Sequence, residues 1–319
     1  MNKAAKIYVA GHSGMVGSAV VRCVKAYGFN NLVLRTSKEL DLTRQTDVEH
    51  FFMTERPEYV FLAAARVGGI LANNTYRAEF IYTNLQIQNN VIHTAWKTDV
   101  KKLLFFSSSC VYPRLCSQPM KEEYLLTDSL EETNEPYAIA KLAGMSMCRA
   151  YNDQYRTNFI SVIPTNLYGP KDNYDPHQSH LMAALIQKYH LAKTKNRPEV
   201  ILWGTGVPRR EMMHVDDAAD AALFLMENYD GSEPINIGLG EDLTISEISA
   251  IVKYIVEYQG EVIFDTNMPD GTPQKLLDIS KLNMMGWKAK ILMTKGVAEA
   301  YRWYLQHMDS SEYINNKSS

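Results

Sequence analysis

The chain has 319 residues, 46% of them hydrophobic, enough to bury the core of one large domain or two smaller ones without covalent staples. Lysine and arginine number 33 against 36 for aspartate and glutamate, and this net charge of -3 argues against a nucleic-acid surface and an acidic tail. Cys23, Cys110, Cys116 and Cys148 form no CxxC pair, which points to free thiols in a reducing compartment, the cytoplasm, rather than to disulfides or zinc. No stretch approaches ~20 uninterrupted apolar residues and the first residues lack a signal-type apolar run, so neither a membrane span nor a cleaved leader is expected.

In chain order, "KIYVAG" (6–11) reads as a strand ending at glycine, and "SGMVGSAVVRCVKAYG" (13–28) as a helix closed by Gly28. Between them Gly11, Gly14 and Gly17 form GxxGxxG. Glycine there permits a tight turn and close approach of backbone to a pyrophosphate, while free N–H groups at the helix start attract anionic phosphate. A turn that merely packs is the plain alternative.

The alternation continues with a strand at 31–36, a helix near 44–55, a strand at 58–65, a long helix near 77–97 and a strand at 101–109. A helix holding Tyr137 and a strand at 158–164 follow. Apolar strands alternating with helices predict an α/β fold, a Rossmann-type doubly wound parallel sheet covered on both faces. At the end of the second strand an acidic residue would select NAD; this chain has Arg35-Thr36-Ser37, a guanidinium beside two hydroxyls that suits a 2'-phosphate and favours NADP(H). Asp41 and Leu42 are candidates to cap the adenine.

Within "NEPYAIAKLAG" (134–144), Tyr137 and Lys141 stand four apart, on one helical face. An ammonium beside a phenol favours the phenolate, drawing a pKa of ~10 toward the range useful for proton exchange. By itself the pair is as well explained by chance on an amphipathic helix. The hydroxyl-rich strand end Ser107-Ser108-Ser109-Cys110, expected at the ligand crevice of the sheet, changes that balance.

After residue 170 the winding stops. A loop "KDNYDPHQSH" leads to a helix with a basic far end, and further amphipathic helices follow. The expected division is a nucleotide-binding domain over 1–170, rejoined at about 212–240. A smaller, mostly helical C-terminal substrate region comes from 171–211 and 241–310, and 311–319 is expected to form a flexible tail. "HVDDAAD" reads as a strand-to-helix turn with caps, and no metal constellation is visible.

Together the glycine turn and the Ser-Tyr-Lys set resemble the extended short-chain dehydrogenase/reductase superfamily. More narrowly, "VAGHSGMVGSAV", "LAAARVGGILANNTY", "SSSCVYP", "ETNEPYAIAKLAG", "PTNLYGPKDN", "WGTG", "RREMMHVDD" and "PDGTPQKLLD" resemble the GDP-L-fucose synthase family, over about residues 5–305. That family converts GDP-4-keto-6-deoxy-D-mannose with NADPH by 3,5-epimerisation and 4-reduction. The resemblance implies that Cys110 and His180 are the epimerisation base and acid, that Ser108 and Tyr137 serve the C4 oxygen, and that Lys141 holds the nicotinamide ribose. It puts Gly11, Gly14, Met15, Val16, Gly17, Arg35, Asp41, Leu42, Ala64, Lys141, Pro164, Asn166, Leu167 and His180 at the cofactor, and Lys188, Trp203 and Arg210 at the substrate's nucleotide end. It also implies a homodimer through the helix near 77–97 and the Tyr137 helix.

A thiol of pKa ~8.5 is little ionised at neutral pH, so Cys110 needs a cationic neighbour, for which His180 is the candidate. Bacterial members carry a basic residue in the glycine turn where this chain has Ser13, which leaves NADP preference resting on Arg35. Related enzymes act on other GDP-4-keto-deoxy sugars or heptoses. A silent NADP-binding regulator is the alternative of another kind, but it could lose Tyr137, Lys141 or Cys110, and none is missing.

Overall fold

The computed structural model describes residues 1–175 and 178–307; the expected tail at 311–319 lies outside them. Up to residue 164 the elements are β1 (Ile7–Ala10), α1 (Met15–Ala26), β2 (Leu32–Val33), α2 (Gln45–Glu55), β3 (Tyr59–Leu62), α3 (Ile70–Thr75), α4 (Arg77–Lys97), β4 (Lys102–Phe106), α5 (Glu135–Tyr155) and β5 (Phe159–Pro164). There follow β6 (Asn166–Tyr168), α6 (Leu181–Thr194), β7 (Glu199–Trp203), β8 (Arg209–Arg210), β9 (Met212–His214), α7 (Val215–Asn228) and β10 (Ile235–Ile237). The last are β11 (Leu243–Thr244), α8 (Ile245–Val256), β12 (Glu261–Asp265), β13 (Gln274–Lys275), α9 (Ser280–Met284) and α10 (Met293–His307).

Six strands form a parallel sheet in the order β10-β5-β4-β3-β1-β2. Side chains alternate across a strand, so each strand feeds two cores. Ile7, Val9, Phe61, Leu104 and Phe106 point to the face covered by α1 and α7. Tyr8, Ala10, Val60, Leu62, Leu103 and Phe105 point to the face bearing α2, α4 and α5. This two-sided burial is why the strands read as continuous apolar runs. The chain first steps from β1 to β2, then returns to the other side of β1 for β3, so the strand order reverses between β1 and β3. A crevice opens at the carboxyl ends there.

A third core lies beyond the sheet, where Tyr174, Ile186, Tyr189, Val200, Val252, Val297 and Tyr304 bring together α6, β7, α8 and α10. Helix α8 starts with a capping box: Glu247 N donates to Thr244 Oγ1 at 3.1 Å and Thr244 N to the Glu247 carboxylate at 2.8 Å. Not all of 241–310 belongs to this core, because Leu282 and Trp287 pack onto the α1–α7 face of the sheet.

The two regions are tied by Glu211, fully buried between β8 and β9. Its carboxylate accepts from the backbone N–H of Leu239, of Gly240 at 2.9 Å and of Leu277 at 2.9 Å. The amides offset part of the cost of burying the charge, and burial still pushes the Glu211 carboxyl above its ordinary value.

Candidate active site

A cleft of about 870 Å³ opens where the strand order reverses, between the sheet and the third core. Its floor begins at the glycine turn. Gly11 has φ +81°, and a Cβ there would lie 2.7 Å from the Ala64 nitrogen; a Cβ at Gly17 would lie 2.1 Å from the Gly11 oxygen. Only glycine lets α1 start against β1 and β3 at once. Gly14 caps α1 without a side-chain bond, so the first helical amides, those of Met15, Val16 and Gly17, face the cleft without an intrahelical acceptor. This cradle fits a dinucleotide's pyrophosphate.

Further along the same wall lie Arg35, Ser37, Leu40, Asp41, Leu42 and Ala64. The Arg35 guanidinium is held by Glu55 at 2.6 Å and by the Leu34 carbonyl at 2.9 Å, so a ligand phosphate there meets a guanidinium already in place. Asp41 accepts from Thr43 N at 2.9 Å and from its hydroxyl at 2.7 Å. Pro164, Asn166, Leu167 and His180 line the opposite side.

Sequence reasoning missed the clamp over this wall. Asn84 of α4, 2% exposed, accepts from Arg66 N at 2.9 Å and donates to the Arg66 carbonyl at 3.0 Å, pinning the loop after β3. Gln88, one turn on, donates to the Ala140 carbonyl of α5 at 2.7 Å. The available signal was two amides four apart on one helical face.

At the inner end stand Ser108 and Tyr137, both lining the cleft, with Cys110 and Lys141 behind them. Strand β4 stops at Phe106, earlier than expected, and Cys110 sits on a following 3-10 turn, Ser109–Val111, whose amide donates to the Ser108 hydroxyl at 3.4 Å. The turn swings both Ser108 and Cys110 toward α5. Lys141 is buried, donates to the Phe106 carbonyl at 2.8 Å and lies 5.8 Å from the Tyr137 ring centre.

The electrostatics revise one expectation. Burial pushes the Tyr137 phenol well above its ordinary value, and the Cys110 charge adds to the rise, with the Ser108 hydroxyl opposing it. Tyr137 is therefore a neutral phenol with its proton in place, rather than one drawn toward phenolate by the lysine. Burial instead pushes Lys141 down to about 8. Cys110 is raised by burial, against the pull of the Ser108 hydroxyl, Lys275 and Lys141. Where the sequence pointed to His180 as the cation at Cys110, the structure supplies these two lysines. His180 stands exposed to the cleft, and the protein around it holds its pKa below the ordinary imidazole value.

Arg210 lines the cleft too, donating to the Thr272 carbonyl at 2.6 Å. Lys188 and Trp203 do not line it: the Lys188 ammonium donates to the Ile201 carbonyl at 2.7 Å and Trp203 is 68% exposed. The loop after β7 is tied to the 270–272 loop beside Arg210, since Asp270 accepts from Thr205 N at 2.9 Å and from its hydroxyl at 2.7 Å. Among the described residues no group of three His, Cys, Asp or Glu could hold a metal, and no helix is long and apolar enough to cross a membrane.

A glycine turn at the reversal of a parallel sheet, with serine, tyrosine and lysine at its inner end, defines the dinucleotide-dependent dehydrogenase and epimerase class. The chain belongs to the NAD dependent epimerase/dehydratase family, whose model matches residues 7–238. It is 55% identical over 307 residues to GDP-L-fucose synthase 1 of Arabidopsis thaliana, covering 96% of this chain and 95% of that one. It is 49% identical over 313 residues to the GDP-L-fucose synthase of Escherichia coli K12, covering 95% and 98%. Among solved structures, a GDP-mannoheptose C4 reductase from Campylobacter jejuni with NADP bound matches with TM-score 0.89 and 45% identity, covering 95% of this chain and 99% of that one.

Proposed function

We propose that the chain is an NADPH-dependent GDP-L-fucose synthase, converting GDP-4-keto-6-deoxy-D-mannose to GDP-L-fucose by epimerisation at C3 and C5 and reduction at C4. The observation that carries this reading is the grouping of a thiol, a serine hydroxyl, a neutral phenol and a buried amine at one end of a dinucleotide cleft, with His180 on its opposite side.

The cofactor-binding residues suit NADP(H). Gly11, Gly14, Met15, Val16 and Gly17 hold the diphosphate, Arg35 the 2'-phosphate, and Asp41, Leu42 and Ala64 the adenosine end. Lys141 holds the nicotinamide ribose, with Pro164, Asn166, Leu167 and His180 around the ring. When bound, NADPH supplies the hydride that reduces C4.

The chain's own groups do the remaining chemistry. A C4 ketone acidifies the C–H bonds at C3 and C5. Cys110 as thiolate takes a proton from one face, and the protonated form of His180, which faces the open cleft and regains its proton from solvent, delivers one to the other. During reduction Tyr137 gives its proton to O4, which a phenol with a raised pKa still holds at neutral pH, and Ser108 donates a hydrogen bond to the same oxygen. Arg210 binds the substrate diphosphate bidentately, while Lys188 and Trp203 extend the nucleotide site along β7.

Residues 1–170 with 212–240 serve the cofactor, and 171–211 with most of 241–310 serve the sugar nucleotide, supported by the separate third core. The protein acts as a homodimer through α4 and α5, which leave Tyr82 64% and Ile139 41% exposed. A cytoplasmic setting suits the need for a reduced Cys110.

A second reading, reduction of a GDP-4-keto heptose, is favoured by the 45% identity to the heptose reductase. Supplying GDP-4-keto-6-deoxymannose and NADPH, and assigning the product's ring stereochemistry by NMR, separates the two. GDP-L-fucose is expected; NADPH oxidation only with a heptose substrate would overturn the fucose reading.

A further inference from the structure

The Cys110 thiol is 7% exposed and sits on the 3-10 turn after β4. The polar and titratable groups bearing on it are Ser108 from its own turn, Tyr137 and Lys141 from α5, and Lys275 from β13. Of the two cations, Lys141 is engaged with the Phe106 carbonyl. The Lys275 ammonium has no hydrogen-bond or ion-pair partner among the described residues.

The fold fixes where Lys275 points. Strand β13 runs parallel to β8 with Lys275 opposite Arg210, and in-register neighbours project to the same face. Arg210 lines the cleft. The backbone around Lys275 is pinned on both sides. Arg209 N donates to the Pro273 carbonyl at 2.8 Å and Glu211 N to the Lys275 carbonyl at 3.1 Å. Leu276 N donates to Gln118 Oε1 at 2.9 Å, and Leu277 bridges to Met120. The stretch at 118–120 follows the Cys110 turn, so this anchoring holds β13 beside the segment that bears the thiol, and Lys275 and Cys110 act on each other electrostatically. The charged and titratable groups facing Lys275 are Cys110, Arg210, Glu131 and Cys116.

We propose that Lys275 is the positioning residue that makes the Cys110 thiolate accessible for the base step. This rests on the epimerase reading of Cys110. Ionisation releases the thiol proton to solvent through the cleft; the thiolate then takes a substrate C–H proton and is a thiol again. Burial and the neighbouring Arg210 hold the half-buried Lys275 ammonium below its ordinary pKa, and the Cys110 anion opposes that, so the two charges favour each other.

The first test needs no substrate. Alkylation of Cys110 by iodoacetamide, followed peptide by peptide across pH, reads the thiolate directly. Lys275→Gln is expected to move the midpoint of that profile up by about one unit and to slow alkylation at pH 7.5 by ~10-fold, the effect of removing one close opposite charge. Lys275→Arg is expected to restore the wild-type midpoint. Should Lys275→Gln fold poorly, Cys110→Ala in the full chain gives the reciprocal readout: loss of the thiolate should speed acylation of the Lys275 amine at high pH. An unchanged Cys110 midpoint, or an unchanged Lys275 profile, would overturn the proposal. So would a Lys275→Gln effect confined to KM, which would make the lysine only an anion grip beside Arg210. Absence of fucose synthesis by a wild-type protein with an intact alkylation profile would sink the parent reading instead.

Discussion

In the proposed reduction Tyr137 gives a proton, and a phenol whose pKa burial has raised keeps that proton throughout the neutral range. Tyr137→Phe should lower NADPH oxidation by ~10²–10⁴-fold, the usual worth of a positioned acid, with cofactor affinity nearly unchanged in fluorescence titration. Cys110→Ser should stop deuterium entering C3 and C5 from heavy water; full exchange in that variant would take the base role from Cys110. Lys141 supplies a pH signature. Its pKa of about 8 means that its charge is present below pH 8 and lost above it. Accordingly kcat/KM for reduction, which reports the free enzyme, should fall above about pH 8, and Lys141→Arg should move that limb upward. Its stability contribution has the opposite sense: the unfolded chain binds more protons between about 8 and 10.5, so stability from this site rises with pH there. The spacing of Tyr137 and Lys141 was legible because one helix carries both. Cys110's lysine partner was not, because a two-residue strand far along the chain leaves no periodic trace.

At the level of elements, the first half of the sequence was read well for a physical reason: two-sided burial gives long apolar runs, and glycines mark the turns between them. The helix near 77–97 appears as Arg77–Lys97, whereas the run at 31–36 narrows to Leu32–Val33, an edge strand with one neighbour. Strand β4 ends before its serines because the chain must turn to present Ser108 and Cys110. Hydropathy carries no signal for that change of direction. The glycine turn offers a direct test. In Gly17→Ala the added methyl would meet the Gly11 carbonyl, forcing α1 away from β1. A loss of about 2 kcal/mol in urea unfolding is expected, with NADPH binding weakened by at least ~10-fold. A variant that binds normally would separate the turn from the cofactor.

For the whole molecule, the cleft is a seam between cores of different origin, one built on the parallel sheet and one on α6, α8 and α10. The sequence revealed the change of texture after residue 170 but not that Leu282 and Trp287 return to the sheet, since amphipathic segments do not disclose which partner they cover. Assembly belongs to this scale. If the chain pairs as proposed, Tyr82→Glu combined with Ile139→Glu should convert the dimer to a monomer in sedimentation equilibrium, and a monomeric wild-type or an unchanged mass in the variant would overturn the α4–α5 contact.

The carboxylate of Glu211 works as a knot. The turn after β10 and the ribbon bearing Lys275 are both moored to its two oxygens. Exchanging it for glutamine would keep the outline but turn an amide donor against amides that already donate. The sheet core and the third core would then be free to slip relative to each other along the cleft between them, so that loss of one buried charge should appear as weaker protection of the Leu239, Gly240 and Leu277 amides in hydrogen exchange.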